Sequence, residues 1–400
     1  MFLTILKIYR FKFIILFLLA LGIIRTEYAF ANGSQKDVVM VIDAEFGLPN
    51  STSAQSISLG AQLAIADIAA SGLLKDVNLK IEQTDNRGVP AIGVDNLSQA
   101  AARKEVLAVM GGKFSPVYIE QRPVADRLGI ILLDPWGSAD GITQMGAGAN
   151  WAFRLSLTDQ WAAPAFVEEA KKRSAHRIGV IIPNTAWGRS NSVALKQAAA
   201  QRNVNIVGEA VYNWGDKSLM PQYDSMVKAN ADLVILVANE NEGALIVREI
   251  ANLPKERRLP ILSHWGITGG NFSAMTNGLI SNVDLAVIQT FSFYNPLNKR
   301  AQNLLPRVLD ETNSADISTI KSAVGIAQAY DLTWLFALAI AKANSTERND
   351  VRDALESIDR FDGAIKSYQQ PFSKESHNAP LDDQLFFAVY SEGNEPKPRN

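Results

Sequence analysis

The sequence predicts an α/β protein made of two doubly wound parallel-sheet lobes joined by crossover hinge strands. Short apolar runs alternate with amphipathic stretches over short connections, the pattern of repeated strand–helix–strand units. The alternation breaks at Trp151–Leu157 and then restarts, which marks a second lobe. The chain then ends in helices and short extended pieces without a sheet of their own. Such an ending implies a return to the first lobe and several crossovers, an arrangement suited to hinge closure.

Two neighbouring stretches set the pattern, Val106–Ser115 (VLAVMGGKFS) and Ile130–Ala139 (IILLDPWGSA). Each is a short apolar run that breaks into small or turn-forming residues and leads into a helical pattern, as a buried parallel strand does. Open α/β sheets bind ligands at the ends of adjacent parallel strands, where loops leave a crevice and helices offer free N–H groups. Ser115 and Ser138 therefore stand where a hydroxyl and a backbone amide can face one small molecule. Ser115 also fits as a plain N-cap ahead of Pro116, and both roles can hold at once.

The other elements follow in order. Asp37–Asp43 is a first strand, and its loop carries Glu45 and Phe46 towards the same crevice. The helix over Ser51–Ser71 buries a stripe of Ile57, Ala61, Ala64, Ile65 and Ile68 at three- and four-residue steps. A strand at Leu79–Asp85, a turn at Arg87–Pro90 and a helix over Ala91–Lys104 complete the approach to the central pair. The second lobe reads as helix Asp159–Lys172, strand Arg177–Pro183, helix Gly188–Arg202 and strand Val204–Val211. Helix Leu219–Ala229, strand Leu233–Ala238, helix Asn241–Ala251 and strand Pro260–Trp265 continue it. A strand at Asp284–Phe291 and helices at Asn298–Glu311 and Ile320–Ala343 come next, then extended pieces over Phe361–Tyr390. The expected division is a first lobe of 32–155 plus about 284–350, a second of 156–283 plus about 351–390, and a polar tail at 391–400.

The N-terminus has the form of a secretory signal peptide over residues 1–31. Lys7, Arg10 and Lys12 precede the apolar core Phe13–Ile24, and Ala29-Phe30-Ala31 supplies an A-x-A cleavage site. The chain has no cysteine, which excludes disulfides and a lipid-modified N-terminal cysteine. Lys and Arg number 39 against 41 Asp and Glu, so no basic face points to nucleic acid. No other stretch reads as a membrane span. There is no G-x-S-x-G elbow, H-E-x-x-H pair or G-x-x-x-x-G-K-[ST] loop, and His176, His264 and His377 lack ligand spacing. Neither a catalytic site, a metal nor a cofactor is expected.

The distributed pattern resembles the type I periplasmic binding proteins, specifically the branched-chain amino acid and amide group. The residues that carry it are Gly60-Ala61 and Ala64–Ile68 in the first long helix, the Gly111-Gly112…Ser115 turn, and Asp134-Pro135-Trp136-Gly137-Ser138. Arg154 in its strand, Asp159 heading a helix, and Tyr223 and Asp232 before a strand extend the likeness over nearly the whole chain after the signal peptide. The resemblance implies a periplasmic substrate-binding component of an ABC importer, a monomer that serves an inner-membrane permease and meets the membrane only through it. It implies that Ser115 and the Trp136-Gly137-Ser138 turn hold a ligand's polar groups, that Trp187 closes the pocket from the other lobe, and that Asp159 helps with an ammonium.

The chain also departs from that group. Trp265 stands where the amino acid binders carry a glutamate, Asn239 where an aromatic is common, and Trp136 where relatives have alanine. The cysteine pair of the leucine-type binders falls at Gly88 and Phe114. These departures favour a solute with a carboxylate or amide and a flat or apolar body. Trp136, Trp187 and Trp265 are expected in the cleft, whereas Trp151, Trp161, Trp214 and Trp334 are expected to pack, and His264 to sit behind the site or on the surface. A periplasmic ligand sensor for a membrane signalling protein is the rival of the importer reading, and an aromatic carboxylate is the rival ligand.

Overall fold

The computed structural model describes residues 35–399 apart from 147 and 392. The expected signal peptide lies outside the described residues. In the first lobe, β1 (Lys36–Ala44), β2 (Val77–Asp85), β3 (Val106–Gly111), β4 (Ile131–Asp134) and β5 (Ala152–Arg154) form one parallel sheet in the order β2-β1-β3-β4-β5. Helices α1 (Ser53–Ser71), α2 (Pro90–Ala101) and α3 (Ser115–Leu128) connect these strands. β3 and β4 are buried at every position, as continuous apolar runs in a doubly covered sheet require.

The second lobe contains α4 (Asp159–Lys172), β6 (Arg177–Pro183), α5 (Ala186–Gln201), β7 (Asn205–Tyr212) and α6 (Met220–Lys228). It continues through β8 (Leu233–Leu236), α7 (Glu240–Ala251), β9 (Ile261–Ser263) and β10 (Leu285–Gln289). α8 (Lys299–Glu311), α9 (Ala323–Ala343), α10 (Arg348–Leu355), the hairpin β11 (Arg360–Asp362) and β12 (Ser367–Gln369), β13 (Phe386–Val389) and β14 (Lys397–Pro398) complete the chain. The second sheet runs β14-β13-β10-β9-β8-β6-β7, with β13 antiparallel to both its neighbours.

The expected division of the chain changes in three places. β10 pairs in parallel with β9 and belongs to the second sheet, not to the first lobe. The segment after 350 divides: β13 joins the second sheet as expected, whereas α10 packs on α9, and its Arg348 and Arg352 donate to the carbonyls of Val106 and Asn150 in the first lobe. The polar tail is not a free tail either, because β14 extends the second sheet and Glu395 is buried beside it.

α9 corrects the reading of membrane spans. It is long and apolar enough to cross a membrane, with a mean hydropathy of 1.5, yet 94% of that stretch is buried against the protein. It lies across α1 so closely that a Cβ on Gly60 would sit 2.1 Å from the Ile326 carbonyl oxygen. Its apolar character serves the core of the first lobe.

Candidate functional site

The turn after β4 is built by Asp134. Its Oδ1 accepts the backbone N–H groups of Trp136 at 2.9 Å and Gly137 at 2.6 Å, an Asx-type turn that ends the strand. Burial raises the Asp134 carboxyl to about 7, against the opposing pull of Arg154 and of those two N–H groups. The Gly137 carbonyl accepts from Arg154 Nη1 and Ser156 Oγ, so the crossover after β5 is tied to the same turn.

Ser115 does not cap its own helix. Phe114 occupies the N-cap position, and Ser115 Oγ instead accepts the N–H groups of Ser138 at 3.1 Å and Ala139 at 3.2 Å. The two predicted serine turns are thus one unit, with the Ser115 hydroxyl proton left to donate. The Ser138 carbonyl accepts the N–H of Asp159 at 2.9 Å, which places the head of α4 beside the turn.

Tryptophans face each other across the lobes. The Trp136 and Trp265 rings lie 5.9 Å apart at 52°. His264 Nδ1 accepts the N–H of Trp265 at 3.0 Å, which leaves Nε2 as the nitrogen free to donate. That Nε2 is 3.2 Å from Asp159 Oδ1 but out of hydrogen-bonding line. Trp187 meets the His264 ring edge-on at 5.0 Å. His264 is therefore fully buried inside the cluster, not on the surface as one expectation had it.

The cluster is unusual in its unmet polar groups. Both carboxyl oxygens of Asp159, the indole N–H groups of Trp136 and Trp187, and His264 Nε2 are buried without a hydrogen-bond partner among the described residues. A buried polar group left unpaired costs free energy, so a concentration of them marks a place built for something else to pair with. Gly266 makes the convergence possible: a Cβ there would lie 2.5 Å from the Ala238 carbonyl oxygen and 2.8 Å from the Trp187 ring. Neither Asp134, Ser156 nor Gly266 stood out in the sequence as a site residue; the D-P-x-G run was the readable signal for the first.

The remaining candidates lie elsewhere. Glu45 is buried, but its carboxyl is already engaged by the Ser53 hydroxyl and the Lys113 N–H, and burial raises its pKa against the pull of Lys113. Phe46 is half-buried, with its carbonyl accepting from Gln55. Asn239 precedes α7 and lines a flanking cleft of about 790 Å³ together with Phe114 and Trp214. Gly88 and Phe114 are in contact, a Cβ on Gly88 falling 3.0 Å from the Phe114 ring. Trp161 and Trp214 are only half-buried, whereas Trp151 and Trp334 are core.

A family model described as periplasmic binding protein matches residues 41–393. The chain belongs to the periplasmic binding protein family. It is 22% identical over 330 residues to the Leu/Ile/Val-binding protein BraC3 of Rhizobium johnstonii, covering 82% of this chain and 83% of that one. A type 1 periplasmic binding protein from Bordetella pertussis shares the fold with a TM-score of 0.80 at 20% identity, over 91% of this chain and 99% of that one. The branched-chain amino acid binding protein LivJ of Streptococcus pneumoniae, solved with isoleucine, gives 0.77 at 18% identity over 91% and 99%. A solute binding protein of R. palustris solved with benzoate also gives 0.77, at 13% identity over 90% and 95%. At such identities the structures establish a shared type I fold and leave the ligand to the site. The family and these neighbours are solute-binding proteins, not enzymes.

Proposed function

We propose that this protein is the periplasmic substrate-binding component of an ABC importer, and that it captures a compact solute bearing an amino or amide N–H group by closing its lobes. The observation that carries this reading is the fully buried Asp159 carboxyl, which accepts no hydrogen bond among the described residues and has His264 Nε2 3.2 Å from its Oδ1, out of hydrogen-bonding line. A solute N–H donor would pair with Asp159, and a carbonyl or carboxylate oxygen on the same solute would accept from Trp136, Trp187 or the Ser115 hydroxyl. Ser138 and Gly137 shape the floor, and Trp265 lies against the apolar body. Contact between the Trp136 and Trp265 rings leaves no gap for a third flat ring between them, which favours a compact solute.

In this reading the solute docks on the first lobe, and the second lobe closes over it with His264, Trp187 and Trp265. Only the closed form then touches the solute from both sides, so the solute shifts the population towards closure. The closed protein, monomeric and freed of its signal peptide, would be presented to an inner-membrane permease. A second reading, an aromatic carboxylate, is favoured by the three tryptophans and by tryptophan instead of an acidic residue at 265.

The test is a thermal-shift series on refolded protein stripped of co-purified solute, with leucine, isoleucine, urea, acetamide and benzoate. A solute that binds only the folded state raises the melting temperature, by about 2.7 kcal/mol of stability at a hundred times its dissociation constant. Stabilisation by an amino acid or amide is expected, and Asp159→Asn should weaken it by about ten- to a hundredfold, the value of a charge-assisted hydrogen bond. Stabilisation by benzoate alone, undiminished in Asp159→Asn, would replace the first reading with the second.

A further inference from the structure

Away from Asp159 and the facing tryptophans, the two lobes meet through a second buried polar cluster. Lys113, at the end of the first lobe's β3 turn, reaches Glu240 at the head of α7 in the second lobe. Its Nζ lies 2.7 Å and 2.6 Å from the two carboxyl oxygens, and it donates to Ser51 Oγ at 3.0 Å. The side chains are 1% and 2% exposed. Beside this pair, the loop after β1 meets the loop after β9 backbone to backbone. Thr52 N–H donates to the Gly269 carbonyl at 2.8 Å, and Asn271 N–H donates to the Asn50 carbonyl at 3.0 Å. Glycine is needed on the second-lobe side: a Cβ on Gly270 would fall 2.1 Å from the Asn50 carbonyl oxygen, and one on Gly269 2.9 Å from the Lys113 side chain.

We propose that Lys113, Glu240 and the Asn50–Thr52/Gly269–Asn271 seam form a clasp that holds the lobes together without any contribution from solute. The inference rests on the closure reading above and goes beyond it, because it assigns part of the closing free energy to the protein itself. When the lobes part, both charges regain water; when they close, Glu240 accepts from Lys113, and Lys113 donates to Glu240 and Ser51 within the field of the Glu45 and Glu242 carboxyls. Removing one partner therefore strands a buried charge in the closed form alone, whereas replacing both with apolar side chains of similar volume removes the penalty. A clasp of this kind sets how often the empty protein is closed, and through that the apparent affinity for whatever solute the cleft takes.

The chain's lack of cysteine permits a direct test. Val89→Cys and Lys217→Cys place spin labels on opposite lobes, both on the flanking cleft beside the clasp. Distances are measured without solute in the parent pair, with Lys113→Met added, and with Lys113→Met and Glu240→Leu together. The expected result is a longer distance in Lys113→Met, its open population raised about tenfold or more, and a return to the short distance in the double variant. Urea denaturation of each form separates opening from general destabilisation. Identical mixtures of short and long distances in all three would overturn the clasp while leaving closure intact. One short distance throughout would overturn closure and the clasp together. If Lys113 acted only as a contact for solute, the solute-free distances would not move, and that outcome also refutes the clasp.

Discussion

Burial holds the Glu395 carboxyl at about 8, where an exposed glutamate sits near 4.5, and the Ser292 hydroxyl that donates to it at 2.7 Å only partly offsets this. Between those two values the folded chain keeps a proton that the unfolded chain has lost. Stability is therefore fully supported below about 4.5 and falls as the pH rises through about 8. Glu395→Gln cannot titrate, yet it keeps an oxygen to accept from Ser292. Urea denaturation at pH 5, 7 and 9 should show the variant gaining on the parent as pH rises, by a few kcal/mol at the alkaline end. Parallel profiles would mean that the side chain reaches water. The same residue scale explains what could be read early. Ser115 and Ser138 were legible because small residues after apolar runs advertise strand ends. The exchange of Ser115 from capping its own helix to accepting from residues 138 and 139 was not, since a hydroxyl's partner is chosen by the tertiary fold. The partners of Glu45 were hidden for a related reason: a carboxylate in a cleft loop looks free until Ser53 and Lys113 are folded against it.

Elements pack here through glycines whose importance has no periodic signal. Gly60 lets α1 approach the backbone of α9, and Gly325 on α9 lets the edge of the Trp136 ring close on the helix, where a Cβ would fall 2.5 Å from the ring. The two positions should fail differently. Gly60→Ala presses on a carbonyl that cannot move alone, so it should cost about 1–3 kcal/mol in denaturation with little change at the cleft. Gly325→Ala presses on a side chain that borders the cleft, so the indole should shift towards Trp265. Its effect should fall on the affinity for whichever of leucine, acetamide or benzoate stabilises the parent, measured by calorimetric titration. Equal effects of both substitutions on affinity would deny Trp136 a place in the site. Strand identity was legible at β3 and β4 because their runs are continuously apolar. The sheet that a strand joins was not legible for β10, because Leu285–Gln289 is apolar in either lobe and only its pairing with β9 decides. α10 was likewise misassigned, since what binds it to the first lobe is two arginines reaching backbone carbonyls far away in sequence.

At the scale of the whole molecule, the two proposals assign closure and recognition to different residues, and that separation is measurable. Asp159, whose carboxyl accepts no hydrogen bond among the described residues, sits where the first-lobe turn meets the crossover, whereas Lys113 and Glu240 meet at the other flank of the cleft. If the solute-binding reading holds, affinity is the product of an intrinsic contact term and the fraction of protein able to close. Asp159→Asn should reduce the first factor alone: weaker binding, with the label distances of the solute-free protein unchanged. Lys113→Met should reduce the second alone: a longer solute-free distance, and a loss of affinity in proportion to the lost closed population. Combining them should then multiply the two losses, because groups without a shared partner add in free energy. The combined variant is measured by titration with the same solute that stabilises the parent. A combined loss well short of the product would mean that Asp159 and the clasp share a role, with the solute itself bridging them, and the division between holding the lobes and reading the ligand would have to be given up.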